Sequence, residues 1–107
     1  MTVFTELELR PGLRVDRVRL AQLCDRWNIE RLELFGSVLR EDFHEGSDID
    51  VLVEFQPGKT PGLRFITIQD QLTELFQRSV DLNTPQDLSR YFRDDVVTWA
   101  RRLYPEV

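Results

Sequence analysis

Apolar residues recur along the chain with two different periods. From Val15 to Trp27 they fall at Val18, Ala21 and Cys24, with a neighbouring stripe at Leu20, Leu23 and Trp27. That spacing predicts an amphipathic helix. Arg31 to Phe35 alternates polar and apolar residues and stops at Gly36-Ser37, which predicts a short strand running into a tight turn. The run Asp48 to Phe55 is rich in β-branched and aromatic residues and ends at Gln56-Pro57-Gly58, the pattern of a central strand. Helical spacing returns between Leu63 and Gln77, where Phe65, Ile68, Leu72, Leu75 and Phe76 share a face after Pro61-Gly62. Ser79 to Leu82 predicts another short strand. Beyond it Thr84 suits a helix cap, Pro85 the first helical position and Asp87 the positive end of the helix. The apolar set Leu88, Tyr91, Phe92, Val96, Val97, Ala100 and Leu103 then predicts one or two helical segments ended by Pro105. Residues 1–14 are mixed and broken by Pro11-Gly12. The predicted order is α, β, β, α, β, α, an α/β (α+β) fold with a small mixed sheet flanked by helices.

Length and composition narrow the picture. With 107 residues, 41% of them hydrophobic and 31% charged, the chain is expected to form a single domain spanning 1–107, with its core at about 15–104. A second domain for binding an acceptor does not fit in that length. The net charge of −5 argues against long nucleic acid as the main ligand, because affinity for phosphate backbones comes from clustered Lys and Arg. A single cysteine, Cys24, allows no internal disulfide, and no signal peptide or long apolar run is apparent. A cytoplasmic protein with no membrane association is expected. Cys24 lies within the first helical pattern and is assigned a structural role.

Chemistry concentrates in Gly36-Ser37-Val38-Leu39-Arg40 and, after a short polar stretch, Asp48-Ile49-Asp50. In a strand the period of two places Asp48 and Asp50 on one face and Ile49, Val51, Val53 and Phe55 on the other. Like charges held together raise one pKa unless a cation neutralises them, and hard oxygen ligands suit Mg²⁺. Such an ion keeps open positions for the phosphate oxygens of a nucleoside triphosphate, and a second ion helps an acceptor attack. Asp81, which interrupts the apolar Val80-Asp81-Leu82, is the candidate third acid. Gly36 permits close backbone approach to phosphate, Ser37 offers a hydroxyl and an N–H, and Arg40 offers charge-assisted bonds. Separately, a Gly-Ser dipeptide is a common loop element and Asp-x-Asp a common solvated pair; the combination carries the argument. A helix-loop-helix calcium site is excluded because Val51-Leu52-Val53 stands where oxygen ligands are needed. His44, the one histidine, gives no second ligand for a zinc cluster and reads as a solvated loop residue.

Read together, Leu34-Phe35-Gly36-Ser37-Val38-Leu39-Arg40, Gly46-Ser47-Asp48-Ile49-Asp50-Val51-Leu52-Val53 and Val80-Asp81-Leu82 resemble the signature of the polymerase β nucleotidyltransferase superfamily, most closely its minimal nucleotidyltransferase (MNT) branch. The likeness runs from about Arg31 to Tyr104. It implies the polymerase β-like core, with Gly36, Ser37 and Arg40 at the nucleotide and Asp48, Asp50 and Asp81 as catalytic, metal-binding acids. It also implies Mg²⁺ as cofactor, with two ions, and ATP as nucleotide substrate. Leu39, Glu41 and Asn83 depart from the usual Ala, Gly and apolar residue at those places. Glu41 sets a negative charge beside the phosphate loop, which opposes triphosphate binding.

Proteins of this branch pair with HEPN-domain ribonuclease toxins as antitoxins. The resemblance therefore implies a protein adenylyltransferase that moves AMP from ATP onto a tyrosine of the HEPN toxin, as one member of a hetero-oligomer. Two other expectations compete. One is a stoichiometric antitoxin whose acids are relics, and the other is transfer to a small molecule of the aminoglycoside kind.

Overall fold

The computed structural model describes residues 6–91 and 93–105. Its first element was not legible as such. Glu6–Arg10 (β1) and Leu13–Asp16 (β2) form an antiparallel hairpin. Pro11 presets the turn and Gly12 takes the left-handed position at φ +82°. The break expected at Pro11-Gly12 is thus a hairpin turn, and alternating Glu6-Leu7-Glu8-Leu9-Arg10 was its signal. The remaining residues of the 1–14 segment, 1–5, lie outside the described residues.

Helix α1 spans Arg17–Arg26, with Asp16 Oδ1 accepting from the N–H groups of Val18 at 2.9 Å and Arg19 at 3.1 Å. It starts two residues later than the pattern suggested because Val15 belongs to β2. Of its two predicted stripes, Leu20, Leu23 and Trp27 face the core, whereas the other is split, with Cys24 buried and Val18 and Ala21 exposed. Helix α2 (Phe65–Phe76) buries Ile68, Leu72 and Phe76 as expected and is preceded by a 3-10 turn, Gly62–Arg64. The Trp27 indole N–H donates to Gln71 Oε1 at 2.8 Å, tying α1 to α2.

A four-stranded sheet holds the rest. Its strands are Ile29–Phe35 (β3), Ile49–Phe55 (β4), Val80–Asn83 (β5) and Arg101–Tyr104 (β6), in spatial order β5-β4-β3-β6. β3 pairs antiparallel with β4 and with β6, and β4 pairs parallel with β5. The parallel pair is joined by α2, as a parallel connection requires a crossover. The edge strand β5 is sealed by α2, whose Thr73 Oγ1 and Gln69 Oε1 accept the N–H groups of Val80 (3.2 Å) and Leu82 (2.9 Å). Leu32, Leu34, Ile49, Val51, Val53, Val80 and Leu82 form one cluster with Leu20, Cys24, Ile68, Leu72 and Phe76.

The C-terminal third departs from expectation. Thr84 and Asp87 do cap each other, with the Thr84 N–H donating to Asp87 Oδ2 at 2.9 Å. They close only one 3-10 turn, Pro85–Asp87, however. An α-helix then spans only Arg93–Trp99 (α3), and Arg101–Tyr104 is strand β6 in place of a continuing helix. Pairing with β3 overrides the helical spacing there, and a four-residue strand with only Leu103 buried leaves little periodicity to read. Leu88 and Leu103 are buried, whereas Tyr91 and Val97 are exposed; Phe92 lies outside the described residues. Among the described residues no helix is long and apolar enough to cross a membrane.

Candidate active site

The acids are placed by strand register. Asp50 is the second residue of β4 and its Cα partner in parallel β5 is Asp81, so the two carboxylates start from adjacent backbone positions. Alternation along β4 sends Ile49, Val51 and Val53 into the core beneath the helices, while Asp50 takes the other face. Asp48 stands one residue before β4 and is exposed, so the strand itself does not fix its direction. Its proximity registers electrostatically. Burial holds the Asp50 carboxyl above the usual aspartate range, the charges of Asp81 and Asp48 push it further up, and Arg40 opposes them.

Gly36 completes this corner. In β3 its predecessor Phe35 is the Cα partner of Asp50, and the chain turns there into a 3-10 turn, Gly36–Leu39. Gly36 sits at φ +75°, and a Cβ at that place would collide with Asp50 Oδ2. Only glycine satisfies both the left-handed backbone and the close approach. Ser37 is half-buried in the same turn, and its carbonyl accepts the Arg40 N–H at 2.8 Å. Arg40 is exposed, with Nε donating to Asp42 Oδ1 at 3.2 Å; Glu41 is exposed beside it. The predicted site residues thus gather at one end of the sheet. Among the described residues, no group of three or more His, Cys, Asp or Glu side chains converges closely enough to hold a metal ion as the side chains stand. Mutual repulsion of carboxylates gives them reason to stay apart, and a hard divalent cation is what would draw them together. The all-oxygen donor set suits Mg²⁺.

The structure adds residues that the motifs did not mark. A cleft of about 460 Å³ opens beside the turn, lined by Phe35, Gly36, Leu39, Arg40, Asp95, Val96 and Trp99. Trp99 is 77% exposed there, at the end of α3 and outside the apolar set read from helical spacing. Glu33 is 8% exposed on β3. Burial raises its pKa, Arg31 lowers it, Glu54 raises it and Arg102 lowers it. His44 is exposed, its Nδ1 accepting the Gly46 N–H at 3.0 Å, in keeping with a loop role. Cys24 is fully buried, which pushes its thiol up to about 12 and leaves it chemically silent.

Comparison with known proteins agrees with this geometry. The nucleotidyltransferase domain family matches residues 19–103. A Methanocaldococcus jannaschii protein that carries the provisional name protein adenylyltransferase is 33% identical over 72 residues, covering 67% of this chain and 76% of that one. A solved structure provisionally described as a minimal nucleotidyltransferase superposes with TM-score 0.65 at 33% identity, over 78% of this chain and 85% of that one. A crystal structure described as a toxin-antitoxin with AMP-PNP gives TM-score 0.66 at 21% identity, over 86% of this chain and 75% of that one, and shares the fold. With the glycine turn, the paired acids and the sheet order in place, the chain belongs to the nucleotidyltransferase domain family.

Proposed function

We propose that this protein is a Mg²⁺-dependent protein adenylyltransferase that moves AMP from ATP onto a tyrosine of a cognate HEPN ribonuclease toxin and so neutralises it. The observation that carries the reading is the register of Asp50 with Asp81, closed on its other side by Gly36. Two carboxylates whose charges work against each other, beside a glycine turn, form a place for a cation and a phosphate chain.

Asp48, Asp50 and Asp81 would hold Mg²⁺, which when bound neutralises triphosphate charge and lowers the cost of attack at the α-phosphorus. Gly36 and Ser37 present the turn's backbone and one hydroxyl to the phosphates. Arg40 swings from Asp42 to the triphosphate; its pair with Asp42 is exposed and holds it only weakly. In the reaction the tyrosine hydroxyl gives up its proton to solvent as its oxygen bonds to the α-phosphorus, the bond from that phosphorus to the α–β bridging oxygen breaks, and pyrophosphate leaves. The relative named as a protein adenylyltransferase and the fold-sharing toxin-antitoxin with AMP-PNP support a protein acceptor and an adenine nucleotide. A cytoplasmic hetero-oligomer of one folded domain with its toxin fits this reading, with neither a membrane nor long nucleic acid as ligand.

The test is the intact mass of the neighbouring gene's product after incubation with the protein, Mg²⁺ and each NTP in turn. Mass added in AMP units by the wild type alone, and by neither Asp48→Asn nor Asp50→Asn, is the expected result. Equal neutralisation by wild type and mutants with no mass change would replace the enzyme with a binding antitoxin. AMP added to an aminoglycoside but to no protein would move the acceptor to a small molecule.

A further inference from the structure

Between the phosphate turn and Asp48 the chain runs through an exposed stretch, Leu39 to Gly46, in which only Phe43 is half-buried. Beyond Leu39 no regular element holds it, yet both ends are tethered by arginines from elsewhere in the fold. Arg10 Nη1, from hairpin strand β1, donates to the carbonyls of Val38 and Arg40, each at 2.9 Å. Arg78 Nη2, from the link between α2 and β5, donates to the carbonyls of His44 (2.8 Å), Glu45 (3.3 Å) and Ser47 (2.9 Å). Both guanidinium carbons lie 4.6 Å from the centre of the Phe43 ring. The hairpin that carries Arg10 is fixed in turn, because Arg101 of β6 donates to the carbonyls of Leu9 at 2.9 Å and Glu8 at 3.3 Å.

From this arrangement we infer that Arg10 and Arg78, joined through Phe43, are positioning residues that clamp the 38–47 segment and so set the phosphate turn and Asp48 at a fixed spacing. The planar guanidinium suits the task, since it donates to several carbonyls while stacking on a ring, which a lysine ammonium does not do. The two ends have different consequences. Arg10 grips one carbonyl within the phosphate turn and one just after it, so its loss acts on nucleotide binding. Arg78 grips the residues leading into Asp48, so its loss acts on the acid and its ion.

The first experiment needs no activity: amide hydrogen exchange of the full chain, without nucleotide or metal, for wild type, Arg10→Ala, Arg78→Ala, Arg78→Lys and Phe43→Leu. Expected is about tenfold or greater acceleration at 38–42 in Arg10→Ala and at 44–48 in Arg78→Ala, with amides of α1 and α2 changed less than about twofold. Arg78→Lys should fall between. Wild-type exchange in the segment for both alanine variants overturns the clamp, as does acceleration spread evenly over the fold.

The kinetic half rests on the adenylyl-transfer reading above. Arg10→Ala should raise KM for ATP about fivefold or more with kcat within about twofold, and Arg78→Ala should lower kcat and raise the Mg²⁺ concentration for half-maximal rate. Equal loss of kcat in both, at unchanged KM and in step with lowered thermal stability, would reduce the arginines to structural supports. A wild type that transfers nothing defeats the activity, and the exchange data still decide the clamp.

Discussion

Replacing Gly36 by alanine separates two costs that the structure assigns to one residue. At φ +75° an L residue is destabilised by about 1–2 kcal/mol. The added methyl would also overlap Asp50 Oδ2 and stand 3.1 Å from Asp50 Cγ and 3.3 Å from its Cβ. Relief requires the carboxylate to leave its rotamer, at about 0.5–1.5 kcal/mol, or β4 to shift. The sum is roughly 1.5–3.5 kcal/mol, a fall in Tm on the order of 10–20 °C for a domain of this size. Gly58 supplies the control, with the same φ of +75° and nothing within 4 Å of an added Cβ. Gly58→Ala should therefore show only the dihedral cost, and the difference between the two variants isolates the contact with Asp50. Tm by circular dichroism and adenylyl transfer by intact mass, at a temperature where both variants are folded, make the comparison. Displacing a catalytic group by about 1 Å is enough to cost on the order of 10²-fold in rate, so on the proposed role of Asp50 Gly36→Ala should lose that much while Gly58→Ala retains near wild-type transfer. Equal losses of Tm in the two variants, with transfer intact in Gly36→Ala, would refute the close approach of Gly36 to Asp50.

Asp50→Asn should abolish transfer yet raise the Tm of the metal-free protein at neutral pH. The folded state holds the Asp50 proton more tightly than the unfolded chain, so ionisation works against the fold; an unchanged or lowered Tm would contradict this. Glu33→Gln should show the same sign as a pH profile. The wild type has its full Glu33 contribution below the ordinary glutamate range and loses it as pH rises through the raised folded value. The variant's stability advantage, followed by urea unfolding across that window, should therefore grow with pH; an advantage that shrinks would show that Arg31 and Arg102 outweigh burial. Cys24 should react with a thiol reagent only on unfolding, since it is fully buried with its thiol pushed up to about 12; rapid labelling of the native protein would contradict its place on the buried face of α1.

Legibility followed the strength of local periodicity. α2 and β4 were readable because each buries a regular face, Ile68-Leu72-Phe76 and Ile49-Val51-Val53. The acids were readable because Asp50 and Asp81 interrupt apolar strands that would otherwise be continuous. β6 was not, since Arg101 and Arg102 are exposed and its identity as a strand comes from pairing with β3. The β1–β2 hairpin carried an alternating signal that a Pro-Gly pair obscured. Arg10 and Arg78 had no signal at all, because their partners are backbone carbonyls roughly thirty residues away along the chain, and any sequence supplies carbonyls.

On the adenylyl-transfer reading, the parallel pairing of β4 with β5 also bears on when a molecule can begin to act. A domain folds as a unit, and in this one the Gly36–Leu39 turn and the Asp48-Ile49-Asp50 stretch are synthesised before the partner strand that completes them. The third carboxylate arrives only after α2 has crossed over and β5 has docked. A slip of one residue at that step would turn Asp81 toward Ile68 and Leu72 and expose Val80 and Leu82. If Asp81 acts as proposed, a mispaired chain lacks its third acid, and correct assembly of the sheet becomes a condition for transfer.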